Sequence, residues 1–492
     1  MTQQAAPADA ITLLVVDSEE EVRGAGVDHV VDFTVIQLND VYEAAPVEGG
    51  RYGGLARVAT LRKQLEAENP NLLMVMVGDF LAPSVISATT GDAGQHMIEA
   101  LNAAGLTHAA VGNHEFDLTE DDFLLRVEES RFRWVVSNVK NAAGQPYANV
   151  HEHDVVKFTN ASGEAVRVAL LGVCIDMVKK PWVQYQDPIE TARAKVNALA
   201  NQADVFLALT HLTLDHDKQL GIEVPRLDVL LGGHEHEAAK AIVGADATPI
   251  YKADSNARSA FVHHFRFDTQ TRVTKLFSRL VHIDASFADE PETAAAVDRW
   301  VNITLDTLRA QGYDPDEVVG YAPEPLIGYE ADVRSRVTNL TKLIIETFLA
   351  EVPQADVAIL PSGLVRIDGI IPEGDITYFD VVRIFPIGGR LSFLNMPGPM
   401  LRTLLQVGDG AAGTGAHQLR ANIDPDGNGG WWIKGEPFDE NRTYKVVFSE
   451  VPASAFAYAP FKGTGTTKIY DTREMRAVLA DRLRQDLRKD RA

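Results

Sequence analysis

The sequence predicts a two-domain α/β protein, on three observations. Short apolar runs alternate with segments whose apolar residues recur at helical spacing, the pattern of a layered α/β domain. Nearly every apolar run in the first half ends in an Asp, Asn or His. Near Ala285 the alternation gives way to polar, turn-rich text, a helix follows, and a second α/β text begins near Val319.

Taken in order, residues 1–32 read as a peripheral segment. Phe33–Leu38 is a strand that ends at Asn39-Asp40, and Gly54–Leu65 has helical spacing. Leu72–Val77 is a strand ending at Gly78-Asp79. Met97–Ala104 is a helix, and Ala109–Val111 a strand ending at Gly112-Asn113-His114. Arg167–Gly172 is a further strand, followed by a helix over about Thr191–Asn201. Val205–Leu209 ends at Thr210-His211, and Val229–Leu231 ends at Gly232-Gly233-His234. Val262–Ile283 carries further strand-like alternation and closes the first domain. The expected bounds are 33–285 for the first domain, 286–318 for a linker helix and 319–492 for the second domain. The Gly-rich stretches 408–415 and 427–430 read as surface loops.

The net charge of −23 over 492 residues argues against nucleic-acid polymers and anionic membranes as partners. A small anion could bind such a surface only where the site supplies positive charge, as a pair of divalent cations would. Cys174 lies in an apolar run and reads as a buried strand thiol, not a nucleophile. The N-terminus lacks a basic region followed by a long apolar core, so no signal peptide or membrane span is expected and the expected location is cytoplasmic.

The strand-end residues form one set: Asp40, Asp79, Asn113, His114, His211, His234 and His236. In open α/β sheets the C-terminal strand edge is where ligands bind. Carboxylate, amide and imidazole donors together suit Zn, Mn, Fe or Co. A carboxylate can bridge two cations, and Asp79, central in the set, is the natural bridge. Two cations ~3.5–4 Å apart clamp an attacking water and phosphoryl oxygens. Gly112 and Gly233 stand immediately before donors, where a sharp backbone turn is needed. His108, His151, His153, His216 and the pair His263-His264 have no matching partners and read as core, turn or surface.

The run Asp40, Gly78-Asp79, Gly112-Asn-His-Glu115, His211, Gly233-His-Glu-His236 resembles the calcineurin-like metallophosphoesterase signature. Gly112-Asn-His-Glu-Phe-Asp117 is closer still to the 5′-nucleotidase family. The second half resembles that family's C-terminal substrate domain at Thr338-Asn-Leu, Ser362-Gly-Leu-Val-Arg366, Gly374-Asp-Ile-Thr-Tyr378, Phe385-Pro-Ile-Gly388 and Tyr444-Lys-Val-Val447. The resemblance, over about residues 33–490, implies a four-layer sandwich domain followed by a smaller α/β domain. It also implies hydrolysis of a phosphoester, a nucleotide or another small phosphorylated metabolite, by in-line attack of metal-bound hydroxide. One divalent ion would be held by Asp40, Asp79 and His236, and the other by Asp79, Asn113, His211 and His234. His114, oriented by Asp117, would donate as a cation to the phosphoryl oxygen or leaving group. Arg334 and Arg366 match substrate-contacting arginines, with Asn113 and His114 contributing to substrate binding.

The pattern departs from the family in two places. The usual Asp-x-His is here Asp40-Val-Tyr42, so Tyr42 is either a phenolate ligand or a bystander, and is read as a bystander. The first metal site then becomes ligand-poor and its occupancy follows metal supply. The family's base-clamping rings are absent at Ser449-Glu450-Val451 and at Leu419-Arg420. A stacked base contributes ~1–3 kcal/mol, so this loss weakens the case for a nucleotide. Phe456, Tyr458, Phe461, Trp431 and Trp432 read as loop packing. The alternatives are a sulfate- or thiosulfate-type ester hydrolase on the same scaffold and a non-catalytic ligand-binding homologue.

Overall fold

The computed structural model describes residues 12–22, 27–449 and 463–490. The chain divides into two compact units, Met1–Ile303 and Thr304–Ala492. The division falls inside the long helix Pro291–Ala310 rather than at either end of the expected linker.

The first unit is built on two sheets. One has eight strands in the order Thr12–Val15, Val273–His282, Ser259–Asp268, Val30–Leu38, Leu72–Val77, His108–Ala110, Arg133–Val135, Val150–His151. The other has six: Ala239–Val243, Thr248–Lys252, Val229–Gly232, Val205–His211, Ala165–Cys174, Asp154–Thr159. Leu72–Val77, Val205–His211 and Val229–Gly232 run parallel to both neighbours, and Val30–Leu38 is parallel to Leu72–Val77 but antiparallel to Ser259–Asp268. Such strands are buried on both faces, which is why they read as continuous apolar runs.

Val31, Phe33, Val35, Leu73, Val75 and Val77 pack between the sheets against Val168, Leu170, Leu207, Leu209 and Leu231. Alternate residues of the first sheet, Ile36, Leu38, Met74 and Met76, share an outer core with Leu55, Val58 and Leu65 of the helix Leu55–Glu68 and with Met97 and Leu101 of Gln95–Ala104. On the second sheet's outer face, Leu171, Phe206 and Leu230 cluster with residues of Pro188–Leu199 and Leu214–Glu223. The result is helix, sheet, sheet, helix: the expected four-layer sandwich.

The N-terminal segment is more engaged than the sequence suggested. Thr12–Val15 pairs in parallel with Val273–Leu276 at the sheet edge, and the strand expected at Phe33 begins at Val30. Four residues of strand between polar flanks carry too little periodicity to be read from sequence.

The second unit has a five-stranded sheet in the order Gln418–Ala421, Val357–Pro361, Thr443–Ser449, Arg390–Pro397, Thr467–Glu474. The helix Asn339–Glu351 starts at a capping box in which the Thr338 and Thr341 side chains bond reciprocally to backbone N–H groups. Of the aromatics considered as base contacts, Trp431 is buried with Nε1 3.2 Å from Asp409, and Trp432 is exposed. Glu450, Val451, Phe456, Tyr458 and Phe461 lie outside the described residues.

The loop between Asp79 and Gln95–Ala104 is fixed by a buried chain of polar groups. Asp92 accepts from the backbone N–H and from Nδ1 of His96, both at 2.7 Å. Nε2 of His96 lies 3.3 Å from Ser84 Oγ, which caps the short helix Val85–Thr90. Burial alone would raise the Asp92 carboxyl, but the His96 ring and N–H outweigh it and hold it down at about 2. A carboxyl depressed in the folded state stabilises the fold above its unfolded pKa and ceases to do so as pH falls through the folded one. Asp92→Asn is therefore expected to lower stability by roughly 2 kcal/mol at neutral pH, measured by chemical denaturation. The difference from wild type should shrink as pH falls from about 4 to about 2.

Candidate metal centre

Four expected ligands occupy backbone conformations that non-glycine residues rarely adopt: Asp40 (φ 53°), Asp79 (54°), His234 (87°) and His236 (61°). Such strain persists only where the surroundings enforce it, and it concentrates at functional sites. Asp40 and Asp79 turn immediately after their strands, Val30–Leu38 and Leu72–Val77. His211 ends its own strand, and His234 and His236 follow the end of Val229–Gly232. The two sheets meet here: Gln37 Nε2 donates to Gly232 O at 2.9 Å, and Nδ1 of His211 lies 3.0 Å from Val77 O.

Two glycines permit the approach. A Cβ on Gly112 would overlap Asp79 Oδ1, and one on Gly233 would come within 2.6 Å of Val77 O and 3.0 Å of Asp40 Oδ2.

The donor atoms of Asp40, Asp79 and His211 lie within 4.8 Å of one another, and all three residues are buried. His211 Nε2 is 3.1 Å from Asp79 Oδ2 and 3.9 Å from Asp40 Oδ1. His236 Nε2 is 3.6 Å from Asp40 Oδ1. The backbone N–H of His234 donates to Asp40 Oδ2 at 2.8 Å, and its ring centroid is 5.3 Å from that of His211. Asn113 precedes His114, whose N–H donates to Asp79 Oδ1 at 2.7 Å. Outside this core, His114 Nδ1 pairs with Asp117 Oδ2 at 2.6 Å, and both side chains are partly exposed.

Three buried atoms, Asp40 Oδ1, Asn113 Oδ1 and His211 Nε2, have no hydrogen-bond partner among the described residues. Unpaired buried polar atoms are costly, and these are the kind of atom that ligates a cation. With Nδ1–H of His211 directed at Val77 O, Nε2 is left facing carboxylate oxygens, an arrangement that calls for positive charge between them, from a proton on Nε2 in the protein alone or from a cation in its place. The residues present therefore fit a divalent ion.

The electrostatics agree. Burial opposes charge on His211, but Asp79 and Asp40 outweigh it and lift the imidazole to about 10. Burial likewise opposes ionisation of Asp79, yet the His211 and His114 charges hold its carboxyl well below the usual range. Asp40, buried beside the Asp79 charge, is raised instead, the divergence expected of two carboxylates in one pocket. Burial and the His211 charge keep His234 neutral, the form that ligates.

Two supporting groups escaped the sequence reading. Glu115 is fully buried and accepts from the N–H groups of Gly112 (2.6 Å), Asp79 (2.8 Å), Phe80 (2.8 Å) and Leu81 (3.1 Å). It ties the Asp79 loop to the Asn113 loop. Its only sequence signal was its place in Gly112-Asn-His-Glu115. Lys252 is buried and donates to Leu212 O and Gly233 O, each at 2.7 Å; it also pairs with Asp217 Oδ2 at 2.7 Å and with Glu235. It anchors the turn that carries His234 and His236, and nothing local in the sequence distinguishes it from a surface lysine.

The histidines set aside lie elsewhere. His263 is buried between Ser278 and Gln37, its neighbour His264 pairs with Glu19, and His108 is buried against Asp154. His151 and His216 are exposed and His153 is half-buried. Cys174 is buried at a strand end, where burial pushes its thiol up. In the second unit, Arg334 pairs with Glu330 at 2.5 Å. Arg366 donates its N–H to Ile384 O, and the segments carrying the two arginines are joined by Glu330 N–H to Asp368 Oδ1 at 2.9 Å. At the position of one missing ring, Arg420 bonds Asp409 at 2.6 Å.

Residues 33–238 match the calcineurin-like phosphoesterase family, and residues 318–456 match the 5′-nucleotidase C-terminal domain. With the four-layer fold and the buried donor cluster, these matches make the chain a metallophosphoesterase, a class whose chemistry uses divalent metal. Within that class it belongs to the 5′-nucleotidase family, in which the calcineurin-like domain is followed by this C-terminal domain. Protein UshA from Yersinia enterocolitica is 25% identical over 483 residues, 85% of either chain. The solved 5′-nucleotidase precursor from Thermus thermophilus has a TM-score of 0.76 at 20% identity, over 93% of this chain and 97% of that one. The sulfate thiohydrolase SoxB from Thermus thermophilus has a TM-score of 0.71 at 14% identity, over 93% and 94%. Both structural likenesses are in fold. Among the described residues, no helix is long and apolar enough to cross a membrane.

Glu115→Ala would leave four backbone N–H groups without their acceptor. It is expected to destabilise the first unit by about 3 kcal/mol or more and to weaken Mn binding, read by denaturation and by metal titration. Glu115→Gln, which still accepts, should cost less in both.

Proposed function

We propose that this chain hydrolyses a small phosphoester, with a nucleotide as the leading candidate, using two divalent ions drawn from Mn, Zn, Fe and Co. Asp40, Asp79 and His236 would hold one, and Asp79, Asn113, His211 and His234 the other. Such ions supply Lewis acidity toward phosphoryl oxygens and ready a water for in-line attack. The observation that carries the reading is the buried cluster, in which atoms of Asp40, Asn113 and His211 have no hydrogen-bond partner among the described residues, next to the His114–Asp117 pair.

The protein's own groups have distinct tasks. Asp79 accepts from the Tyr42 hydroxyl and the His114 N–H and stands 3.1 Å from His211 Nε2, so it touches both halves of the site. Asp117 occupies Nδ1 of His114 and thereby fixes the ring's orientation, leaving Nε2 to donate to a phosphoryl oxygen or the leaving group. Arg334 and Arg366 are the candidate anion contacts of the second unit. The net charge of −23 disfavours polymeric anions and anionic membranes as partners and leaves small anions attracted to the metal site.

A panel of chromogenic phosphoesters, nucleotides, sulfate esters and thiosulfate conjugates, assayed with Mn, Co, Zn and Fe, tests the reading. Phosphate release is expected from phosphoesters in the presence of metal. Asp79→Ala should abolish it, and His114→Ala should reduce kcat by ~10²–10⁴. Full activity in Asp79→Ala, or tight ligand binding with no turnover under any metal, would overturn the proposal.

A further inference from the structure

We infer that the Tyr42 hydroxyl oxygen is a ligand of the first metal position, where the 5′-nucleotidase pattern Asp-x-His has an imidazole. The inference rests on the two-ion reading above and specifies the composition of one of its sites.

Tyr42 is buried, and its backbone is fixed: its N–H and that of Glu43 donate to Asn256 Oδ1 at 3.1 and 3.2 Å. Asn256 is itself locked to the Asp40 turn through its N–H and Asp40 O, 2.9 Å apart. The ring therefore enters the site on the same rigid turn as Asp40. Its hydroxyl lies 3.1 Å from Asp79 Oδ2 and 3.1 Å from His236 Nε2. His236 Nε2 is in turn 3.6 Å from Asp40 Oδ1. The ring stands edge-on to His114, with centroids 6.0 Å apart.

Atoms that share one ion at ~2.1 Å stand ~3.0–3.4 Å from one another, from octahedral to tetrahedral angles. The steps from Tyr42 O to Asp79 Oδ2, from Tyr42 O to His236 Nε2, and from His236 Nε2 to Asp40 Oδ1 fall in or just above that interval. The hydroxyl thus contacts two proposed ligand atoms of that ion at once. The consequence is chemical. Asp40, Asp79 and Tyr42 give the first position three oxygens and a single imidazole, a harder donor set that favours Mn or Fe over Zn. The second position, with two imidazoles, keeps the softer balance.

The test is equilibrium binding of Mn and of Zn to the full chain, by calorimetry and by metal content after dialysis, for wild type, Tyr42→Phe and Tyr42→His, with circular dichroism to verify folding. Wild type is expected to bind two Mn ions. Tyr42→Phe should weaken one of the two by ~10-fold or more, the loss typical of a damaged metal shell, and leave the other unchanged. Tyr42→His should restore the second ion and shift its preference toward Zn. Equal affinities in wild type and Tyr42→Phe, or a single ion that Tyr42→Phe leaves untouched, would overturn the Tyr42 assignment while leaving the hydrolase reading intact. If Tyr42→Phe does not fold, an unchanged Mn-to-Zn preference in Tyr42→His overturns the assignment instead. A wild-type chain that binds no divalent ion would overturn both.

Discussion

Asp40 and Asp79 are two carboxylates buried at one edge of one sheet, with the Nε2 of a buried imidazole turned toward them. Water is excluded from them, so they cannot be stabilised as exposed acids are, and each feels the other's charge. Only positive charge between them makes the pocket tolerable. In the protein alone His211 meets that need by taking up a proton, which is why its imidazole is lifted to about 10. The oxygens of Asp40 and Asn113 that have no partner among the described residues would be satisfied as well if a divalent cation supplied that charge.

Much of the surrounding structure holds that arrangement in place. Glu115 gathers four N–H groups from the Asp79 and Asn113 loops, and Lys252 grips the turn that bears His234 and His236. Gly112 and Gly233 leave room where a side chain would strike Asp79 or Asp40. Left-handed backbone at Asp40, Asp79, His234 and His236 is strain that the tight turns at this sheet edge carry. Rigid strands on one side and tied loops on the other give the preorganisation that metal-assisted chemistry requires.

The fold and the strand-end cluster of Asp40, Asp79 and His211 were legible in the sequence for one reason. Parallel strands buried on both faces are written as continuous apolar runs, so the polar residue ending each run marks the sheet edge where ligands collect. Asp40, Asp79, His211 and His234 were each read that way. Groups that act through backbone contacts were not legible. Glu115 and Lys252 have no periodicity or spacing that distinguishes them, because their partners are N–H and C=O groups brought in by tertiary structure. Thr12–Val15 was missed because four residues at a sheet edge are too few to show a period. Tyr42 could be named from sequence as a departure from the family pattern, but only coordinates could show its hydroxyl directed at Asp79 and His236.

The most direct measurement is anomalous scattering from crystals of the full chain grown or soaked with Mn. Peaks are expected within ligating distance of the Asp79 carboxylate, with Asp40 and His211 among the contacts. Ordered Mn found only at other sites, with the Asp40–Asp79–His211 pocket empty at saturating metal, would contradict the metal-centre assignment.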